Sequence, residues 1–339
     1  MKTDSGFFWK RETDVKNRLE LIVIGYRNEK NSESSMEAWI TPSIGSNLCR
    51  FIVDGKKVID FDAELLEKMD YTGTPVLYPT PNRVRNGVFL NNGRIFNQVK
   101  NGERIFEHGL VHNEAFKCSE PLVQDTCVEF TTWIDFEEGG ELFEAFPFRH
   151  RLSLEFKITQ ESLQVTYTIK NSDDKEIPYG FGLHPYFMKL SGDEETYIKL
   201  PAEYVMDYTS DLLPTGRLIH VDGTIYDLRQ PIKTASLDLD HVFTGIGAGK
   251  FAEVEYKTEG LRILLSSSED FSHLVVYSPR GMNYICIENQ TCSTDAHNLY
   301  DRGFKSESGL EFVPPGSSKS GYVEYRRQRT SKTSKGRFS

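Results

Sequence analysis

Between Cys127 and Asn171 the chain repeats one pattern three times, as CVEFTTWI, FRHRLSLEFKI and LQVTYTIKN. The segments start at Cys127, Phe148 and Leu163 and each alternates apolar with polar residues, the recurrence and period of an all-β sandwich or barrel. A period of two sends alternate side chains to opposite faces, so each segment offers one row to a core and one to water. Each segment is bounded by acidic, Gly- or Ser-containing turns. No helical pattern is read between them, which sets the stretch apart from a βαβ fold.

The rest of the chain extends this pattern in both directions. Upstream lie LELIVIGY, MEAWITP and LCRFIVDGKKVIDF, the last a hairpin about Asp54-Gly55, a dipeptide that supplies positive φ in a tight turn. AELLEKM is the one short helical candidate there. Asn91-Asn92-Gly93 and Asn101-Gly102 are further turn signals. Downstream come ETYIKLPAEYVM, RLIHVDG, LDLDHVF, FAEVEYKT, LRILLSS, the hairpin HLVVYSPRGMNYICIE, and SGYVEYRR after VPPGSS. Residues 1–17 are polar with a few aromatics and read as a loose arm. Residues 18–325 read as one large domain without internal repeat or linker. The stretch from Arg326 to Ser339 holds six basic residues with almost nothing to bury, and reads as a disordered tail.

Composition narrows the partners. A net charge of −10 argues against general nucleic-acid binding and suits a neutral or weakly charged small molecule. The five cysteines, Cys49, Cys118, Cys127, Cys286 and Cys292, show neither CxxC nor Cys/His metal spacing, so scattered reduced thiols are expected and no metal. No apolar run approaches the roughly 18 residues of a membrane helix, and the charged N-terminus is unlike a signal peptide, which predicts a soluble cytoplasmic protein without membrane contacts. Monomer and dimer are equally compatible with the sequence.

Against this sheet-forming background one stretch stands out, IPYGFGLHPYF, residues 177–187. Read as a strand, it places Tyr179, Phe181 and Leu183 on one face and Gly180, Gly182 and His184 on the other. The glycine face is bare backbone leading to an imidazole, which predicts room there for something flat. Pro185 biases His184 toward extended geometry. Taken alone, His184 is a core histidine at a strand end. Three other features change its meaning: Asn82-Arg83 in a Pro-rich, constrained loop with Arg85 close by, His108-Gly109 with His112 four residues on, and Glu288 in the otherwise apolar strand YICIENQ.

Together PTPNRVRNG, EHGLVHN, GLHPYF and CIENQ, followed by a PPG loop, resemble the aldose 1-epimerase (mutarotase) family, in the same order along nearly the whole globular part. LDHVF, with Asp240 and His241, resembles that family's acidic sugar-binding stretch. The resemblance implies a large, mostly antiparallel β supersandwich with few short helices, which agrees with the strand pattern. It also implies a cofactor-free isomerase that interconverts the anomers of a hexose, its partner a small sugar. Anomer exchange removes a proton from the C1 hydroxyl and adds one to the ring oxygen, so the ring opens, the aldehyde end rotates and the ring recloses. A carboxylate base and an imidazole acid on opposite sides of the sugar can perform both transfers. The resemblance assigns Glu288 as base and His184 as acid, with Asn82, Arg83, His108 and Asp240 binding sugar oxygens. Arg85 and His112 are candidates for the rim. The sequence NQTCSTDAHN after the strand departs from many family members.

Two alternatives remain at this stage. A hexose 6-phosphate epimerase needs a cationic cluster, for which Arg83, Arg85 and Arg104 are the candidates. A carbohydrate-binding module on the same fold, without turnover, keeps the arginine and aromatic contacts but loses the acid or the base. Burial of Glu288 raises its pKa and a nearby Arg83 lowers it, and the sequence does not say which prevails.

Overall fold

The computed structural model describes residues 6–14, 19–28, 34–68, 70–91, 93–100 and 102–331. Two large sheets, of 13 and 10 strands, dominate it, and every strand ladder among the described residues is antiparallel. Five short α-helices sit at their margins. The all-β character expected from the strand recurrence, and the supersandwich that the family resemblance implied, are the fold that forms.

The three repeated segments are consecutive neighbours in the 10-stranded sheet, as strands Val128–Phe136, His150–Ile158 and Ser162–Asn171. Their inward rows, including Phe130, Leu154, Phe156 and Val165, are buried in one continuous core. The 13-stranded sheet contributes Ile24, Phe51, Phe187, Ile285 and Ile287 to the same core. Tyr325 joins the two layers, its ring 6.2 Å from Phe51 and 5.9 Å from Phe187. The Asp54-Gly55 hairpin forms with both residues at positive φ, 51° and 76°. The helical candidate is realised as Ala63–Glu67, capped by the Asp62 carboxylate; Met69, at its end, lies outside the described residues, as do Asn92 and Asn101 of the two turn signals.

Two expectations about the ends are corrected. Within the stretch read as a loose arm, Phe7–Asp14 is a strand in eight-residue register with Leu19–Arg27. Phe7 is fully buried and Trp9 packs on the core, while Lys10, Arg11 and Glu12 mark the strand as a charged edge. Residues 1–5 and 15–17 of that arm lie outside the described residues. At the other end Arg326, Arg327 and Arg329 belong to the strand Ser318–Arg329 rather than to a tail. Arg327 is buried and donates to Asp54 Oδ1 at 2.7 Å and to the Gln160 carbonyl at 2.8 Å, partners 273 and 167 residues away that no local pattern reveals. Residues 332–339 lie outside the described residues.

What positions the site is the middle of the 13-stranded sheet. There the strands run in the order Tyr186–Met188, Tyr284–Gln290, His273–Ser278 and Leu239–Thr244. Tyr186 pairs with Cys286, Cys286 with Tyr277, and Tyr277 with Asp240. Paired residues share a face, and Glu288 lies two residues from Cys286. The register thus sets Tyr186, Glu288, Tyr277 and Asp240 on the face away from the core. Ile285 and Ile287, between them, are turned inward.

Candidate active site

Over that outer face fold two loops, and between loops and sheet lies a cavity of about 280 Å³. Its wall holds Glu288, His184, Asn82, Arg83, His108 and Asp240, the six residues assigned to chemistry or sugar binding from sequence. It also holds four that were not: Tyr71, Glu107, Tyr186 and Tyr277.

The loops are held in a demanding backbone geometry. Asn82 and His108 both sit in the left-handed region, at φ 58° and 60°, uncommon for non-glycine residues though better tolerated by Asn and His than by most. Three bonds hold them in place. His108 N–H donates to the Asn82 carbonyl at 2.9 Å, Val84 N–H to the Phe106 carbonyl at 2.7 Å, and Leu110 N–H to the Tyr78 carbonyl at 2.7 Å. Asn82 steadies its neighbour further, its Oδ1 accepting from Arg83 N–H at 2.8 Å. A third left-handed residue, Asp295 at φ 54°, clamps the same loop: its N–H donates to the Arg83 carbonyl at 2.9 Å and its Oδ1 accepts from Arg85 N–H at 3.0 Å. Asp295 belongs to NQTCSTDAHN, so the departing sequence is the brace of the arginine loop.

Within the cavity Glu288 Oε1 and His184 Nε2 lie 3.3 Å apart. The expectation that they stand on opposite sides of a sugar is therefore corrected. His184 enters the strand that pairs directly with the strand of Glu288, and adjacent strands bring the two groups side by side. The chemistry survives the change, because the C1 hydroxyl and the ring oxygen are bonded to the same carbon and need neighbouring partners. Glu288 is 2 % exposed, and its Oε2 accepts from Gln290 Nε2 at 2.9 Å. Burial pushes its carboxyl well above the ordinary glutamate range, with Asp240 and Glu107 adding to the rise while Gln290 and Arg83 oppose it. Burial lowers the His184 imidazole to about 3. The imidazole stacks on the Tyr186 ring, 4.8 Å away and 5° from parallel.

Arg83 is flanked by two carboxylates, with Nη2 3.4 Å from Glu107 Oε1 and 3.4 Å from Asp240 Oδ2. Burial raises Glu107, and Arg83 holds it back. His108 lies edge-on to Tyr71 and His184, with ring centres 4.7 Å and 5.3 Å away. Burial first, then the neighbouring His184, His112 and Arg83, keep it well below the usual histidine range, so it offers one donor and one acceptor. Its Nδ1 is buried and has no partner in the protein. Unpaired polar atoms of this kind at a cavity wall are what sugar hydroxyls satisfy.

The two rim candidates fall outside the wall. Arg85 is exposed and directed to Asp211 and Asp295. His112 packs on the ring of Tyr71 at 5.2 Å and supports the wall from behind.

The glycines preceding His184 do not leave room for a sugar. A Cβ on Gly180 would fall on Cys292 Sγ and Pro81 Cδ, and one on Gly182 would meet Gln290 Cγ at 3.0 Å. The bare face is filled by protein, and its role is to let the arginine loop and the glutamate strand approach the histidine. Gly180→Ala is accordingly expected to lower the unfolding free energy by about 1–3 kcal/mol, as overpacking of a filled interior does. A shift of the urea midpoint at unchanged slope checks this; an unshifted midpoint would mean that Cys292 and Pro81 yield freely.

Glu107 adjoins His108 and was within reach of sequence reasoning, since the bridge between residues 83 and 107 sets it beside Arg83. Tyr186 lies in the GLHPYF run two residues after His184, whereas Tyr71 and Tyr277 carry no motif signal. All five cysteines are unpaired, with Cys118 exposed and the others buried. No described helix is long and apolar enough to cross a membrane.

Comparison with known proteins places this geometry. The aldose 1-epimerase family profile matches residues 32–326. An uncharacterized Escherichia coli protein, YihR, is 26% identical over 229 residues, covering 66% of this chain and 71% of its own length. The galactose mutarotase of Sus scrofa is 28% identical over 177 residues, 50% of this chain and 48% of that protein, so the match spans about half the mutarotase. Among solved structures, a galactose mutarotase-like protein from Clostridium acetobutylicum superposes with a TM-score of 0.78 at 22% identity, covering 96% of this chain and 100% of that one. Galactose 1-epimerase from Lactobacillus acidophilus gives 0.75 at 16% identity, covering 96% and 98%. At these identities the two structures speak for the shared fold.

Proposed function

The chain belongs to the aldose 1-epimerase family, and from that premise we propose that it interconverts the α and β anomers of a free, neutral hexose. The observation that carries the proposal is the buried Glu288–His184 pair, 3.3 Å apart in a cavity walled by hydroxyl-binding groups. Glu288 takes the proton of the C1 hydroxyl and His184 Nε2 gives one to the ring oxygen. The ring opens, the aldehyde carbon turns, and the reverse transfers close it on the other face. Arg83, Asn82, His108 and Asp240 hold the remaining oxygens so that the opened chain stays in place to reclose.

Charge supports a neutral substrate. Arg83 is the one cation on the described wall, and Glu107 and Asp240 already flank it. Of the other arginines that a sugar phosphate would need, Arg104 is exposed and donates to the Asn86 carbonyl, and Arg85 is turned to Asp211 and Asp295. Both members of the acid/base pair are present, which speaks against a module without turnover.

Polarimetry of fresh α-glucose and α-galactose, with the spontaneous rate subtracted, tests the proposal. Exchange faster than the spontaneous rate on at least one neutral aldose is expected. Acceleration confined to sugar 6-phosphates would overturn the neutral-substrate reading, and no acceleration on any aldose would overturn the activity.

A further inference from the structure

A second cavity, of about 350 Å³, adjoins the first and shares Tyr71 and Tyr186 with it as common walls. His184 stacks on Tyr186, and Tyr186 meets Tyr284 edge-on at 4.9 Å, already inside the second cavity. Phe61, Met188 and Tyr284 supply apolar surface there, and Thr72 and Asn283 supply hydroxyl and amide groups. Ring faces with a few convergent polar groups are the lining that a sugar requires, since its C–H faces are apolar and its edge is hydroxyls.

Charge and direction narrow the ligand. No lysine or arginine lines this cavity. Its two acids are engaged elsewhere: Asp60 accepts from Arg50 Nε at 2.6 Å and Lys57 Nζ at 2.9 Å, and Asp62 caps the helix Ala63–Glu67. A phosphate or carboxylate would find no cation here, so the occupant is neutral. The position of the cavity says which part of the sugar reaches it. In the four-strand wall Tyr186 and Asp240 stand on opposite outer strands, with Glu288 and Tyr277 between them. With His184 serving the ring oxygen, the group nearest Tyr186 is the carbon on the other side of that oxygen, C5, and C5 carries C6. A substituent on the C6 oxygen would then be directed toward Tyr186 and Tyr71, the residues that line both cavities.

We infer that the second cavity binds a neutral glycosyl group carried on the C6 oxygen, so that the preferred substrates are reducing, 6-linked disaccharides. The inference rests on the function proposed above, because that function fixes which end of the sugar faces His184.

The test compares isomaltose and melibiose (6-linked) with maltose and lactose (4-linked) and with glucose, by polarimetry. Met282 sits on the exposed turn at the outer lip of the cavity, and Met282→Trp fills the cavity from outside. In the unaltered protein kcat/KM for the 6-linked sugars is expected to exceed that for glucose at least about tenfold, the effect of one modest set of added contacts. Met282→Trp is expected to erase that advantage through KM while glucose kinetics change less than about twofold. Equal rates for 6-linked and 4-linked sugars, or a Met282→Trp loss shared equally by glucose, would overturn the inference. Saturation-transfer NMR on isomaltose separates the two failures. Signal from both rings supports the cavity whatever the turnover, and signal from the reducing ring alone overturns it even where glucose is turned over.

Discussion

Glu288→Gln is expected to slow enzymatic anomer exchange by at least about 100-fold and at most about 10,000-fold, the range for loss of one well-placed general base. The substitution keeps volume and shape, and the new amide can still offer its oxygen to Gln290 Nε2. Stability should therefore hold or rise, since a buried ionisable group has been removed. The loss should fall on kcat, because Arg83, His108 and Asp240, the proposed sugar-binding groups, are untouched. Equal loss through KM alone would instead make Glu288 a binding group.

His184→Asn is expected to cost a similar factor, and the double variant little more than either single one, because the two groups move one proton between them. The pH dependence exposes this coupling. The imidazole, lowered to about 3 by burial, is neutral above that value. The carboxyl, raised by burial, keeps its proton up to a pH well above the ordinary glutamate range. Between those limits the pair holds one proton. The resting arrangement places it on Glu288. The reactive arrangement, carboxylate with imidazolium, has the same proton count and is reached by transfer across the 3.3 Å gap. Lowering the pH through the His184 value adds a second proton and removes the base. Raising it through the Glu288 value removes the shared proton and leaves no acid. The rate of the unaltered protein should thus be flat between an acid limb near 3 and an alkaline limb set by Glu288, which apparent constants of the pair describe. Glu288→Gln should lack the alkaline limb. A fall in rate at the ordinary glutamate pKa would contradict the burial-driven shift.

Sequence reasoning reached much of this site and missed the rest for identifiable reasons. The sheets were legible because alternation is local: each of the strands Val128–Phe136, His150–Ile158 and Ser162–Asn171 announces its two faces within nine or ten residues. The six motif residues were legible because they stand in recognisable runs in a recognisable order. Tyr71 and Tyr277 were not, because their place on the wall depends on contacts between segments distant in sequence; Tyr186 stood inside GLHPYF and was passed over because a tyrosine in a strand is otherwise a packing residue. Gly180 and Gly182 were noticed for a sound reason, the missing Cβ, and given the wrong occupant, since sequence cannot say whether protein or ligand fills the space. The arm was misjudged because an edge strand carries charge, and the tail because the basic residues that end Ser318–Arg329 hide an interior strand paired on both sides. Arg327 shows the same limit, as its buried partner Asp54 is the turn residue of a hairpin on the other sheet.

The three left-handed residues around Arg83 have a consequence for how the site opens. Asn82, His108 and Asp295 come from separate stretches of chain, yet each is bonded to another within that cluster through the backbone of residues 82–85. Loosening one of them removes a backbone bond from the loop that the others hold. In hydrogen-exchange terms the amides of residues 84, 85, 108 and 295 are expected to open together, since each bonds across this cluster. Segment 291–298 follows directly on the strand of Glu288, so the same opening event would admit water to the carboxyl and relieve the burial that keeps it protonated.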